Sequence, residues 1–132
     1  MKKSFSATLA NLKNIRGMIK DFLKNYKLNN NIIQNIQLAV DEAVTNIIKH
    51  SYKEEKETNY IEINLNVIEN ELEISLCDDG YAVDKKKIKP RNINEIKPGG
   101  LGTHFIDQIM DNVRWVKSDI WNNKLIFKKK IK

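Results

Sequence analysis

The sequence is poor in sulfur, proline and glycine, and it has no long apolar run. Cys77 is the one cysteine among 132 residues, so no disulfide forms within the chain and a disulfide-stapled secreted scaffold is excluded. Its place in an alternating apolar pattern suits a small buried hydrophobe better than a reactive thiol. No stretch approaches the roughly 20 apolar residues that cross a bilayer. The start, Met1-Lys2-Lys3-Ser4-Phe5-Ser6, is followed by no apolar segment of the secretory kind. A cytoplasmic protein with no membrane partner is the expectation. No internal repeat is visible, and the length suits a single domain over 1–132 with one core.

Negative charge is in deficit, with 17 Asp and Glu against 23 Lys and Arg, a net charge of +6. Such a balance raises nucleic acid as a partner. The clusters Lys85-Lys86-Lys87 and Lys128-Lys129-Lys130 lack interleaved aromatics, however, and no helix-turn-helix pattern is present. They read as solvated surface, and no direct nucleic-acid contact is expected. A basic surface equally suits nucleotide phosphates or an acidic protein.

Of only five glycines, three stand together in Gly99-Gly100-Leu101-Gly102, just before Ile106, Ile109, Met110 and Val113 at helical spacing. A glycine loop entering a helix N-terminus offers free N–H groups, a positive dipole end and close backbone approach to an anion. Read alone, such a loop is more often a tight turn.

Upstream, Lys3 to Leu9 alternates as an edge strand, and Leu12, Ile15, Ile19, Phe22 and Leu23 form one face of a helix that contains Gly17. Asn25 to Asn31 is turn chemistry with a helix N-cap at its end. A second helix follows, from about Ile32 to about Ser51, with Ile32, Ile33, Ile36, Val40, Ala43, Val44, Ile47 and Ile48 as its buried stripe. Glu42 and Asn46 sit one turn apart at the margin of that stripe. The plain reading is a solvated polar pair. The chemical one is a general base beside an amide oxygen, the hard ligand type that Mg²⁺ takes together with substrate phosphates.

After a polar stretch from Tyr52 to Asn59, the rows Ile61, Ile63, Leu65, Val67 and Leu72, Ile74, Leu76 predict a hairpin turning at Asn70-Glu71. The second strand runs into Asp78-Asp79-Gly80, which places the Asp78 carboxylate at a rim where it can accept from an amine-bearing ligand. Tyr81 to Pro98 has no period and holds both prolines, as expected of a lid or binding loop. Two strands close the chain, Val113–Lys117 and Leu125–Lys130, with a turn around Trp121-Asn122-Asn123.

Three motifs in this order carry a resemblance. Leu38-Ala39-Val40-Asp41-Glu42-Ala43-Val44-Thr45-Asn46-Ile47-Ile48-Lys49-His50 resembles the N box of the GHKL superfamily of ATP-binding domains. Asp78-Asp79-Gly80 resembles its first glycine box, and Gly99-Gly100-Leu101-Gly102 its second. The superfamily takes in gyrase, the heat-shock chaperone ATPase, histidine kinases and the mismatch-repair ATPase. Nearly the whole chain is covered, and the likeness is strongest to the single-domain anti-sigma-factor serine/threonine kinases.

The resemblance implies an α+β fold, a two-layer sandwich with a mixed, mostly antiparallel sheet covered on one face by helices. It implies ATP and Mg²⁺ as cofactors. Glu42 would be the general base and Asn46 the Mg²⁺ ligand. Asp78 would bind the adenine amino group, with Gly80 leaving room beside the base. Gly99, Gly100, Leu101, Gly102 and Thr103 would wrap the phosphates. Two positions depart from the family: Ala82 replaces the second glycine of the first box, and Lys97-Pro98 stands where some kinases carry an arginine. Lys97 would then supply the charge as a point cation. The partners implied are a sigma factor and its anti-sigma-factor antagonist, with a homodimer as the assembly. The alternative is an ATP-gated binding module without phosphotransfer. Histidine-kinase activity is not expected, since it needs a dimerisation helix bearing the phosphoacceptor, and His50 and His104 are the only histidines.

Overall fold

The computed structural model describes residues 1–82 and 100–131. Strand β1 spans Lys2–Ser6, helix α1 Leu12–Leu23 and helix α2 Asn30–Asn46, which runs on into a π-helical turn, Ile47–Tyr52. Then come β2 (Tyr60–Ile68), β3 (Glu71–Asp78), α3 (Gly100–Ile109), β4 (Asn112–Val116) and β5 (Asn123–Lys130). The strands form one sheet in the order β1-β2-β3-β5-β4.

Every neighbouring pair in that sheet is antiparallel, so the expected mixed sheet gives way to an antiparallel one. The cause lies in the connection: β3 and β4 both oppose β5 and therefore run parallel to each other on either side of it. Insertion of β5 between them removes the one parallel contact that the β3-α3-β4 crossover would have made.

One face of the sheet carries the core. Ile63 faces Leu76 and Leu65 faces Ile74 across β2 and β3, and Ile74 and Leu76 in turn face Phe127 and Leu125 of β5. These side chains join Ile15 and Ile19 of α1, Ile36 and Val40 of α2, and Ile106 and Ile109 of α3 in one buried cluster. Alternation at period two on the strands and at three and four on the helices produces both layers. Helix α2 lies between α1 and α3. Arg16 of α1 pairs with Asp41 of α2 at 2.7 Å, and the Gln37 amide donates to the Arg16 carbonyl at 2.9 Å.

Several boundaries differ from expectation. Asn29 caps α2 by accepting from the Ile32 N–H at 3.0 Å, so the helix begins before Ile32. The hairpin turns at Glu69-Asn70, with φ of 52° and 65°, the two left-handed residues of a type I′ turn; Glu71 already pairs with Ile68. Val113 falls in β4, as the strand expected from it requires, and faces Phe127; it leaves the helical stripe of Ile106, Ile109 and Met110 because α3 ends at Ile109. Gly100 and Gly102 are residues of the first turn of α3 rather than of a loop before it. Lys97, Gly99 and almost all of the lid expected over 81–98 lie outside the described residues.

Candidate functional site

Polar residues are buried where the core rows run out. Asp78 ends β3 on the same face as Ile74 and Leu76, and its cross-strand partner is Asn123, the first residue of β5. Both are buried, at 1% and 4% exposure. The second helix was expected to stay α-helical to about Ser51, but after Asn46 it widens into the π-helical turn. That register carries Ser51, also buried, against the end of β3. Single π turns of this sort concentrate at functional sites. Among the described residues the buried polar ones are Ser51, Ser75, Asp78 and Asn123, so three of the four meet here.

Their bonding is one-sided. Asp78 Oδ1 accepts from the Ser51 hydroxyl, from the Gly80 N–H at 3.0 Å and from the Asn123 amide at 3.0 Å. Asp78 Oδ2 is buried with no hydrogen-bond partner. A buried carboxylate oxygen without a donor is costly and calls for an explanation. A ligand bearing an amine would supply the missing donor, the role expected above of the adenine amino group. The other such oxygen, Asp41 Oδ1, belongs to a carboxylate already held by Arg16.

The loop after Asp78 is fastened to the helix end. The Tyr81 N–H donates to the Ser51 carbonyl at 2.8 Å. An added Cβ on Gly80 would lie 2.2 Å from Ser51 Oγ and 2.5 Å from its carbonyl carbon, so glycine is required by close approach. The Tyr52 hydroxyl accepts from the Asp79 N–H at 3.0 Å and donates to the Tyr60 carbonyl at 2.5 Å. Burial pushes the Tyr52 phenol above its ordinary pKa, and the Asp78 and Asp79 charges add to that. Asn122 closes the far side, donating from its side chain to the Asp79 and Gly80 carbonyls at 3.2 and 3.1 Å. Ala82, in place of the family's second glycine, is exposed. Burial raises the Cys77 thiol pKa, in keeping with an inert side chain.

Glu42 and Asn46 lie one turn apart on α2, both half-buried, and Asn46 is the last α-helical residue before the π turn. They therefore share one continuous helical element with Ser51. Neither is hydrogen-bonded to the Asp78 carboxylate, and the motifs are joined through the backbone between 46 and 51. Gly100, Leu101, Gly102 and Thr103 form the first turn of α3, which packs beside α2. Ser51 and Asn123 were missed by the sequence reading. Asn123 had a signal: it precedes Leu125 and Phe127 at period two, which places it on the core face. Ser51 had none, since its direction depends on the π turn. A cavity of about 470 Å³ beside the β2–β3 turn and another of about 710 Å³ between β1 and α1 contain none of these residues.

The donor set fits a nucleotide and a hard cation. Asp78 Oδ2 is free to accept from an amine, Asn46 carries an amide oxygen of the kind that supplements phosphate and water around Mg²⁺, and the first turn of α3 has the N–H groups that suit a phosphate.

Several known proteins resemble this chain in sequence or fold. A serine-protein kinase RsbW of Staphylococcus aureus is 38% identical over 89 residues, which is 61% of this chain and 56% of that protein. The chain thus spans little more than half the length of the curated relatives it matches. A crystal structure of the RsbU and RsbW domains of a Mycobacterium tuberculosis protein superposes with a TM-score of 0.66 over 99% of this chain and 31% of the other, at 13% identity. The histidine kinase domain of a blue-light activated kinase from Erythrobacter litoralis does so with a TM-score of 0.57 over 93% of this chain and 60% of the other, at 15% identity. At such identities these two likenesses bear on the fold alone. Among the described residues no helix is long and apolar enough to cross a membrane. Residues 5–129 match the model of the histidine kinase-like ATPase domain, and the chain belongs to that family.

Proposed function

We propose that residues 1–132 form a single cytoplasmic ATP-binding domain that acts as a protein serine/threonine kinase and anti-sigma factor, phosphorylating a small antagonist and sequestering a sigma factor as a homodimer. The observation that carries the nucleotide part is the buried, partnerless Oδ2 of Asp78, set in a chain that belongs to an ATPase-domain family. The kinase part is supported by the likeness to the staphylococcal serine-protein kinase RsbW, whose name carries that activity.

Bound Mg-ATP would supply the transferable phosphoryl group and the divalent charge that neutralises it. We assign Asn46 to hold the metal and Glu42 to take the proton from a serine or threonine hydroxyl of the antagonist. Asp78, with Gly80 beside it, would hold the base. We assign Lys97, Gly99, Gly100, Leu101, Gly102 and Thr103 to the phosphates, which they would hold when the nucleotide binds. Most of the acceleration then comes from positioning and charge neutralisation, as is general for phosphoryl transfer.

The test is phosphoryl transfer from γ-labelled Mg-ATP in a lysate of the source cells, with the parent protein and with Glu42→Ala. A small protein labelled by the parent alone supports the kinase. If ATP binds and no label depends on Glu42, the kinase assignment falls and an ATP-gated binding module replaces it.

A further inference from the structure

The bonding around Asp78 leads beyond the assignment of that residue to a base. Its carboxylate has two chemically identical oxygens, and the terminal torsion of aspartate is broad and two-fold. Nothing in Asp78 itself decides which oxygen faces a ligand. Its neighbours decide. The Ser51 hydroxyl has one hydrogen and gives it to Oδ1; its lone pair accepts from the Asn123 amide at 3.0 Å. The same Asn123 nitrogen lies 3.0 Å from Oδ1 and 2.9 Å from the Tyr81 carbonyl. Three donors converge on Oδ1 and none on Oδ2.

We propose that Ser51 and Asn123 are positioning residues that set base specificity: by saturating Oδ1 of Asp78 they leave Oδ2 as the single open acceptor, which accepts a purine carrying an exocyclic amine and refuses one carrying a carbonyl there. This rests on the nucleotide reading of the site. A carbonyl oxygen opposite a carboxylate oxygen has no proton to share and meets like partial charge, whereas an amine makes a charge-assisted bond. Discrimination is large where a buried polar group would otherwise be left unpaired. Ser51 reaches Asp78 only through the π turn and Asn123 only through strand pairing, so specificity is distributed over three elements of the fold.

The experiment compares the Mg²⁺ complexes of ATP, GTP and purine riboside triphosphate, the last being ATP without its amine. Binding to the parent, Ser51→Ala, Asn123→Ala and Asp78→Asn is followed by calorimetry. The parent should prefer ATP over purine riboside triphosphate, and Asp78→Asn should lose that preference. A parent without the preference, or an Asp78→Asn variant that keeps it, would remove the nucleotide reading itself. With those two results in hand, Ser51→Ala and Asn123→Ala should each weaken ATP about tenfold, the equivalent of ~1.4 kcal/mol, while purine riboside triphosphate binds as before. Rejection of GTP should relax in parallel. A purely structural role would weaken both purines by the same factor, and that outcome, like an unchanged ratio, overturns the proposal. If Asn123→Ala fails to fold, Ser51→Ala decides alone, because it deletes one oxygen and keeps the backbone bond to Tyr81.

Discussion

Two alanine substitutions at glycine should move stability in opposite directions. At Gly80 the new Cβ would sit 2.2 Å from Ser51 Oγ, 2.5 Å from the Ser51 carbonyl carbon and 2.6 Å from the carbonyl oxygen. Carbon contacts are comfortable at about 3.5–4 Å. The hydroxyl can rotate away, but the other two atoms are backbone, and the oxygen holds the Tyr81 N–H. Either the strand-end loop or the π turn must move by about an ångström, which strains this bond and loosens the donors on Asp78. Overpacking costs about 1–3 kcal/mol and a weakened buried hydrogen bond about 1 kcal/mol more. For a domain of this length the unfolding entropy is about 0.28 kcal/mol/K, so Gly80→Ala should melt roughly 7–14 °C below the parent.

Gly17 supplies the control. It lies within α1 with nothing inside 4 Å of an added Cβ. Gly17→Ala should therefore stabilise by about 0.5–1 kcal/mol, through helix propensity and a less flexible unfolded chain, raising the melting point by roughly 2–4 °C. Thermal and urea unfolding of both variants, with Mg-ATP binding on the folded proteins, form the assay. A Gly80→Ala protein that melts with the parent and binds ATP as well would refute the packing of the Asp-Asp-Gly loop on the helix end.

Asn46→Ala should abolish the Mg²⁺-dependent part of ATP affinity, and with it the rise in melting temperature that saturating Mg-ATP gives the parent; a full rise in the variant would take Asn46 out of the site. The phenol of Tyr52 predicts an alkaline effect. Its folded pKa lies above the unfolded value near 10, so its contribution is fully present below about pH 10 and lost as pH climbs through the folded pKa. Tyr52→Phe, which also forfeits the bonds to Asp79 and Tyr60 at a cost of about 1 kcal/mol, should be the less stable protein at neutral pH yet decline less steeply above pH 10. Parallel slopes in a pH series of urea unfolding would contradict this.

Periodicity made most of the fold legible. The rows of β2 and β3, the stripe of α2 and the edge position of β1 follow from apolar spacing, because burial on one face forces those repeats. The order of motifs likewise brought Glu42, Asn46, Asp78 and Gly80 forward as candidates. The mostly antiparallel sheet was expected, but the loss of its parallel pair was not legible, since it depends on β5 entering between β3 and β4, a pairing of β3 with β5 that has no local signature. The turn at Glu69-Asn70 was misplaced by one residue because glutamate is an unusual occupant of a left-handed position. The widening after Asn46 left no trace either: Ile47 and Ile48 fit an α-helical stripe as well as a π-helical one, and only the bonds to Asp78 and Tyr81 distinguish them.

The position of the candidate site follows from how the two layers end. Along β3 and β5 the core-facing positions are apolar from Leu72 to Leu76 and from Leu125 to Phe127, and they turn polar together at Asp78 and Asn123, which face each other across the ladder. An apolar pair at that point would extend the core by one row. A polar pair must instead be satisfied from the helical layer, and a regular α-helix was not what met it: the extra residue of the π turn swings Ser51 into place. The satisfaction stops one oxygen short, at Oδ2. Three elements thus spend their polar groups on one carboxylate and leave one of its oxygens for a donor from outside the chain. Stability alone would favour closing that gap with a fourth donor, or removing the charge altogether; keeping it open is what a binding site requires.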